Sequence, residues 1–232
     1  MKNIYETTNS EYLKNNNTWH VEDSPWKAKQ IIKLLKRNSL NPKSIAEIGC
    51  GAGEILKQLQ EQLEDKSIDF SGYDIAPDAM KLAKSRTNKK LNFYQENLLE
   101  KKDVHFDLCL VVDVFEHVDN YMGFIESCGP LADYKIYHIP LALHISALLR
   151  GELIRSRKDL GHLHYFSKET ALATLSDSGQ EIIDFFYTKG ATENRKRVRT
   201  IFANMLRIPF FKINPDLTAR LLGGYSLIVL TK

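Results

Sequence analysis

The stretch Glu47-Ile48-Gly49-Cys50-Gly51-Ala52-Gly53-Glu54 decides how this chain folds. It follows the short apolar segment Ser44–Ile48 and precedes Ile55, Leu56, Leu59 and Leu63, which recur at helical spacing. It therefore reads as a strand, a glycine turn and a helix. Glycines allow a tight turn and let the backbone approach a ligand that a Cβ would block. The N–H groups at the helix start then favour an electron-rich group. An ordinary glycine turn is the plain alternative. Asp74, which closes the next predicted strand, Ile68–Tyr73, argues for a nucleotide site instead.

Upstream, residues 1–23 are polar and Asn-rich, with aromatic anchors at Tyr5, Tyr12 and Trp19. Ser24-Pro25 predicts an N-cap and a first helical position. Ile31, Leu34 and Leu35 then form the stripe of an amphipathic helix that Asn41-Pro42 ends. Downstream, Pro77–Ser85 and Asn120–Ser127 predict helices, and Leu91–Tyr94 and Tyr134–His138 predict strands. Phe106–Val112 is the most apolar strand and is expected at the sheet centre, covered on both faces. This alternation predicts an α/β fold with a mostly parallel, doubly wound sheet.

After Pro140 the alternation breaks. A first insertion over 141–166 carries Arg150, Arg155, Arg157 and Lys158. Ser167 opens a helix through Leu175 that Gly179 stops, and Glu181–Tyr187 and Tyr225–Leu230 are the last strands. Between those two strands, 189–223 is a second insertion with eight basic residues against two acidic ones.

The chain has 232 residues and a formal net charge of +3, made of 32 Lys and Arg against 29 Asp and Glu. The second insertion alone carries +6, so the rest of the chain stands at −3 and the charge is segregated. With 43% hydrophobic and 10% aromatic residues, disorder is excluded. Cys50, Cys109 and Cys128 are odd in number and widely spaced, which argues against a disulfide framework or a zinc knuckle and for a reducing compartment. The N-terminus has no apolar core of a signal peptide and no run reaches the ~18 apolar residues of a membrane span. The expectation is a cytoplasmic protein.

The nucleotide class turns on detail. Dinucleotide sites use GxGxxG, whereas the glycines here fall at 49, 51 and 53 and Glu54 takes the place of the last glycine. A carboxylate there would repel a pyrophosphate. Glu47, two residues before the first glycine, adds a second negative group, and the pair suits a cationic ligand better.

On these residues the chain resembles the class I S-adenosylmethionine-dependent methyltransferases, whose first motif is an acidic residue followed by GxGxG. The fourth-strand stretch FDLCLVVDVFEHV strengthens the resemblance at Asp107, Asp113, Glu116, His117 and Val118, and is similar to the ubiquinone-biosynthesis-like branch. The resemblance implies a Rossmann-like, seven-stranded sheet with an antiparallel last strand and helices on both faces. It implies S-adenosylmethionine as cofactor, with Glu47, Gly49, Cys50, Gly51 and Gly53 around its methionine part. It further implies Asp74 on the ribose hydroxyls, Ile75 against adenine, and Glu96, Asn97 and Leu98 at the adenine edge. Asn97 stands where the family has Asp. It also implies an N-terminal lid within residues 1–40, with Tyr12 and Trp19 over the cofactor.

A sulfonium methyl is already activated, so the protein mainly aligns donor and acceptor and excludes water. His117 is the candidate general base for a hydroxyl acceptor, against a structural role in the loop. Asp113, at the carboxyl edge of the sheet, either lies near the transferred methyl or braces the loop by accepting backbone N–H groups. His162, His164 and Tyr165 are candidates for the acceptor pocket, with Trp19 above it, and Phe166 is expected in the core. No metal is expected, because His162 and His164 lack a recognisable third ligand. Arg150 and its neighbours either suit an anionic or lipid-linked acceptor or form a solvated basic face. Residues 195–212 mix basic and apolar side chains and suit peripheral contact with an anionic membrane surface, or a lid or dimer contact. The predicted function is methyl transfer to a small molecule, on oxygen. A non-catalytic cofactor-binding scaffold and an RNA-modifying methyltransferase using the basic insertions are the rivals; no RNA-binding module is recognisable.

Overall fold

The computed structural model describes residues 21–189 and 207–232. Its sheet is built from β1 (Ser44–Ile48), β2 (Asp69–Tyr73), β3 (Leu91–Tyr94), β4 (Phe106–Val112), β5 (Ala132–Pro140), β6 (Ile182–Thr188) and β7 (Ser226–Thr231). In space the order is β3-β2-β1-β4-β5-β7-β6. Strands β1 to β5 pair in parallel, and β7 enters antiparallel between β5 and β6. The mixed seven-stranded sheet is the expected one. Its order reverses between β1 and β4, which places a ligand crevice outside the carboxyl ends of those two strands.

Helices α1 (Ser24–Arg37), α2 (Glu54–Gln62) and α3 (Pro77–Lys84) cover one face; α4 (Tyr121–Cys128) and α7 (Lys168–Asp177) cover the other. The apolar run of β4 shows why both faces must be covered. Leu108, Leu110 and Val112 join the core under α1–α3, while Cys109 and Val111 join the core under α4 and α7. Asp107 lies at the other end of this strand. It accepts the N–H groups of Lys43 and Ser44 at 2.5 and 3.2 Å and so ties the start of β1 to β4.

Helix starts follow local chemistry with one shift. Asp23, not Ser24, stands at the N-cap of α1, because a 3-10 turn over Val21–Asp23 runs straight into the helix; Pro25 is in its first turn, as expected. Ser167 and Thr170 form a reciprocal capping box for α7, and Asn120 accepts from Gly123 N–H at the start of α4. The first insertion holds two short helices, α5 (Ile145–Leu149) and α6 (Glu152–Asp159). In the second insertion, residues 207–213 are helical and α8 (Pro215–Leu222) packs against α5. Among the described residues no helix is long and apolar enough to cross a membrane.

Candidate functional site

The glycine turn after β1 is left-handed at alternate residues, with φ +68° at Gly49, +53° at Gly51 and +77° at Gly53. That alternation explains the GxGxG spacing, since each position would strain an L side chain. At Gly49 a Cβ would also stand 2.7 Å from Val114 Cγ2, so the loop after β4 presses on this turn. Gly49 and Cys50 both donate their N–H groups to Tyr73 O, at 2.8 and 3.1 Å, which locks the turn to the end of β2. Burial pushes the Cys50 thiol well above its usual range, so this residue offers backbone rather than thiolate.

Asp74 continues from β2 and its carboxylate bridges two loops. Oδ2 accepts Gly51 N–H at 2.8 Å and Oδ1 accepts Ala76 N–H at 2.8 Å. Burial pushes its carboxyl up, and the N–H groups of Ala76, Gly51 and Ile75 pull it back. Ile75 beside it is 42% exposed, an apolar surface next to the acid. Glu47 ends up deeper, 1% exposed in β1. Its Oε2 is buried with no hydrogen-bond partner among the described residues. Burial drives its carboxyl well above the usual range; Lys27 opposes this and Asp74 adds to it.

Such a group makes folding sensitive to pH. The folded Glu47 holds its proton where an unfolded glutamate has lost it, so stability falls as pH rises above the ordinary carboxylate range. Replacing Glu47 with Gln removes that penalty. At pH 8 the variant should melt a few degrees higher, for a gain of about 1 kcal/mol, with a flatter dependence of Tm on pH. An unchanged slope in thermal melts between pH 5 and 9 would count against this account of Glu47.

Two expectations about acidic and amide groups change. Glu54 does not face the loop. Although burial opposes ionisation, Gln58 and Arg86 hold its carboxyl below the usual range, with Arg86 Nε donating at 2.6 Å. The case for a cationic ligand therefore rests on Glu47. Asn97 caps the 3-10 turn Leu98–Glu100, its Oδ1 accepting Leu99 N–H at 3.2 Å and its Nδ2 donating to Glu100. Glu96 pairs with Lys101 at 2.5 Å, and Leu98 is buried.

On the far side of the crevice, Asp113 leaves β4 with φ +54°, strained for a residue other than glycine. It braces the loop through side chains, not through the backbone N–H groups expected. His138 Nδ1 donates to Oδ1 at 2.6 Å and Lys27 Nζ donates to Oδ2 at 2.7 Å. Burial opposes its ionisation, but His138 and Lys27 hold the carboxyl far below the usual range. His138 in turn meets Thr188 Oγ1 at 3.0 Å through Nε2 and Trp26 through ring edges. The sequence reading missed Lys27, His138 and Thr188, which lie on three different elements.

The turn Phe115–His117 follows. Glu116 is 0% exposed, and neither carboxylate oxygen has a hydrogen-bond partner among the described residues. Its backbone carbonyl accepts the N–H groups of Leu163 and His164 at 2.8 and 3.1 Å, which staples residues 161–164 against this loop. His162 thereby meets His117, with ring centroids 4.8 Å apart. His164 goes elsewhere: Nε2 lies 3.0 Å from Val118 O and its ring packs on Tyr121. Tyr165 donates its hydroxyl to Leu153 O and His162 O, and Phe166 is buried in the core. Arg150 bonds to Glu152 and Ser146 on the exposed side of the first insertion. Tyr12, Trp19 and residues 195–206 lie outside the described residues.

Residues 46–132 match a family model described as a methyltransferase domain. The chain is 28% identical over 148 residues to the ubiquinone biosynthesis O-methyltransferase of Glaesserella parasuis serovar 5, covering 56% of this chain and 61% of that relative's length. The fold is similar to a SAM dependent methyltransferase from Archaeoglobus fulgidus, with a TM-score of 0.63 at 18% identity over 96% of this chain and 100% of the other. It is also similar to the magnesium protoporphyrin IX methyltransferase of Synechocystis PCC 6803, solved with SAH, with a TM-score of 0.59 at 15% identity over 90% and 82% of the two chains. The domain match spans the glycine turn, Asp74 and the fourth-strand loop, and the strand order agrees with it across the rest of the sheet. Residues 46–132 therefore carry a methyltransferase-type domain, and the fold around it is that of solved methyltransferases.

Proposed function

We propose that this protein transfers a methyl group from S-adenosylmethionine to an oxygen of a small-molecule acceptor. The observation that carries the cofactor reading is the buried, unpartnered Oε2 of Glu47 beside the left-handed glycine turn. A buried carboxyl without a partner is costly unless a ligand completes it, and an amino group of a cationic ligand would do so. A diphosphate offers no positive group to complete it there.

Bound S-adenosylmethionine supplies an activated methyl on its sulfonium. The remaining work falls to the chain. Gly49, Gly51 and Gly53 let the main chain lie against the methionine part, with the Cys50 backbone between them. Asp74, already oriented by Gly51 and Ala76, offers its carboxylate oxygens to two adjacent ribose hydroxyls. Ile75 gives adenine an apolar wall, and the turn from Glu96 through Asn97 to Leu98 closes its edge. Asp113, held from two sides, keeps the fourth-strand loop at the methyl. His117 and His162 border the acceptor, with Tyr165 and Arg150 further out. Oxygen as the accepting atom is supported by the relationship to an O-methyltransferase.

The first insertion carries Arg150, Arg155, Arg157 and Lys158 together with Leu149, which is 83% exposed, and that mix of charge and apolar surface supports an anionic, amphiphilic acceptor. Calorimetry with S-adenosylhomocysteine and with NAD tests the cofactor reading. Binding of the first in the micromolar range and none of the second is expected; the reverse result would overturn it. Release of S-adenosylhomocysteine in a screen of hydroxylated acceptors tests the transfer itself and separates an enzyme from a non-catalytic scaffold.

A further inference from the structure

We propose that this chain associates with a second copy of itself through β6, the strand at one edge of the sheet. Among the described residues β6 pairs with β7 alone, so its outer side carries backbone N–H and C=O groups without a strand partner. Such an edge is a template for another strand unless the sequence guards it. The opposite edge strand, β3, is guarded by its length of only four residues. β6 has seven, IIDFFYT, with neither proline nor lysine among them. Its one charged side chain, Asp184, is already held by Arg37 and Asn38, each at 2.9 Å. Ile183 and Phe185 stand exposed beside it, at 43% and 39%.

The order of side chains selects a second copy as the occupant and sets the register. Tyr187 packs in the core under α7 and Phe186 in the core under α1, so alternation puts Phe185 and Ile183 on the first face and Asp184 on the second. An antiparallel pair with its two-fold axis at Phe185 brings the two Phe185 rings together and sets Ile183 against the partner's Tyr187. Asp184 then falls opposite the partner's Phe186. In each subunit the Phe186 ring carries Lys33 at 4.5 Å and Arg37 at 5.2 Å, so a carboxylate meets two cations on both sides of the axis. Moving the axis to Phe186 would instead set the two Lys33–Arg37 pairs face to face, where like charges repel. A bulge between Ile182 and Asp184 bends the start of the strand. The pairing is therefore short, and the dimer is a weak, concentration-dependent one.

Topology fixes what this dimer does to the crevices. β7 runs antiparallel to both β5 and β6, so β6 points the same way as β1 to β5. An antiparallel β6 pair turns the partner's sheet end for end, and the two crevices open on opposite edges of one continuous sheet. The glycine turn follows β1, which lies four strand spacings from β6, about 19 Å away. Self-association and cofactor binding are thus separate properties of the chain.

Sedimentation velocity of the full chain over a micromolar concentration series tests this without acceptor or turnover. The weight-average mass should rise from one chain toward two. Phe185→Lys and Phe185→Glu should each raise the dimer dissociation constant by at least about tenfold, because each sets like charges across the axis. An equimolar mixture of the two variants should recover dimers, since a two-fold at this position sets the new cation against the new anion. Both variants should keep the parent circular dichroism and S-adenosylhomocysteine affinity. Should either fail to fold, Ile183→Lys, at the next exposed position, should show the same loss. A single-chain mass at every concentration, a dimer untouched by Phe185→Lys, or no recovery in the mixture would each overturn the proposal. Slow hydrogen exchange at the β6 amides in a protein that stays monomeric would assign this edge to another stretch of the same chain, and would overturn it too.

Discussion

Replacing Asp74 with Ala is expected to weaken S-adenosylhomocysteine binding by about 100-fold, equivalent to about 3 kcal/mol. Two losses combine. The ribose loses a bidentate charged acceptor, and the glycine turn loses the bridge from Gly51 N–H to Ala76 N–H. Asp74→Asn separates charge from shape. It fills the same space but turns an NH₂ group toward one of two backbone N–H donors, so it should lose nearly as much as Asp74→Ala. Burial already disfavours the charged form of Asp74, so neither variant should lower Tm by much. Isothermal titration of both variants measures this directly. An Asp74→Ala protein that binds within threefold of the parent would remove Asp74 from the cofactor site.

Gly53→Ala is expected to destabilise the chain strongly for the addition of one methyl group. The position has φ +77°, and a Cβ built there falls inside the contact distance of the Phe93 ring. Left-handed backbone costs an L residue about 1–2 kcal/mol, and overpacking a filled site costs about 1–3 kcal/mol more. A loss of about 3 kcal/mol would lower Tm by about 10 °C in a chain of this size. Phe93 is itself buried on β3 and cannot swing clear without disturbing Gly72, whose own Cβ position lies 2.5 Å from the same ring. The turn that would move also carries the N–H groups of the cofactor loop, so binding should fall with stability. Differential scanning calorimetry showing a shift under 2 °C would refute the packing argument.

The contrast between these residues and the loop after β4 shows how far the sequence could be read. Gly49, Gly51, Gly53 and Asp74 are legible because their roles are local. A left-handed turn, a helix start and an acidic strand end each act within a few residues, and each leaves a residue type at a fixed spacing. The strand and helix series is legible for the same reason, since period and capping chemistry are properties of short segments. Even the central place of Phe106–Val112 follows from its composition alone.

Glu54 shows where such reading stops. Its position in the motif suggested a charge facing the ligand, but Arg86, 32 residues away, draws it aside. Asp113 shows the same limit, because its partners Lys27 and His138 come from α1 and β5 and no spacing rule connects them. The histidines of 161–166 show it as well: Glu116 O accepts the N–H groups of Leu163 and His164, and His162 meets His117 only once the insertion folds back over the sheet edge.

The sequence by itself thus determined the sheet, the glycine turn and the acidic residue that ends the second strand, because short-range sterics and hydrogen bonding decide those. Tertiary structure alone decided which buried carboxyls are paired and which are left open. That outcome depends on which distant side chains the chain crossing brings within 3–4 Å, where desolvation and charge are settled between groups far apart in sequence. Glu54 and Asp113 found cations there; Glu116, and Oε2 of Glu47, were left without a hydrogen-bond partner among the described residues.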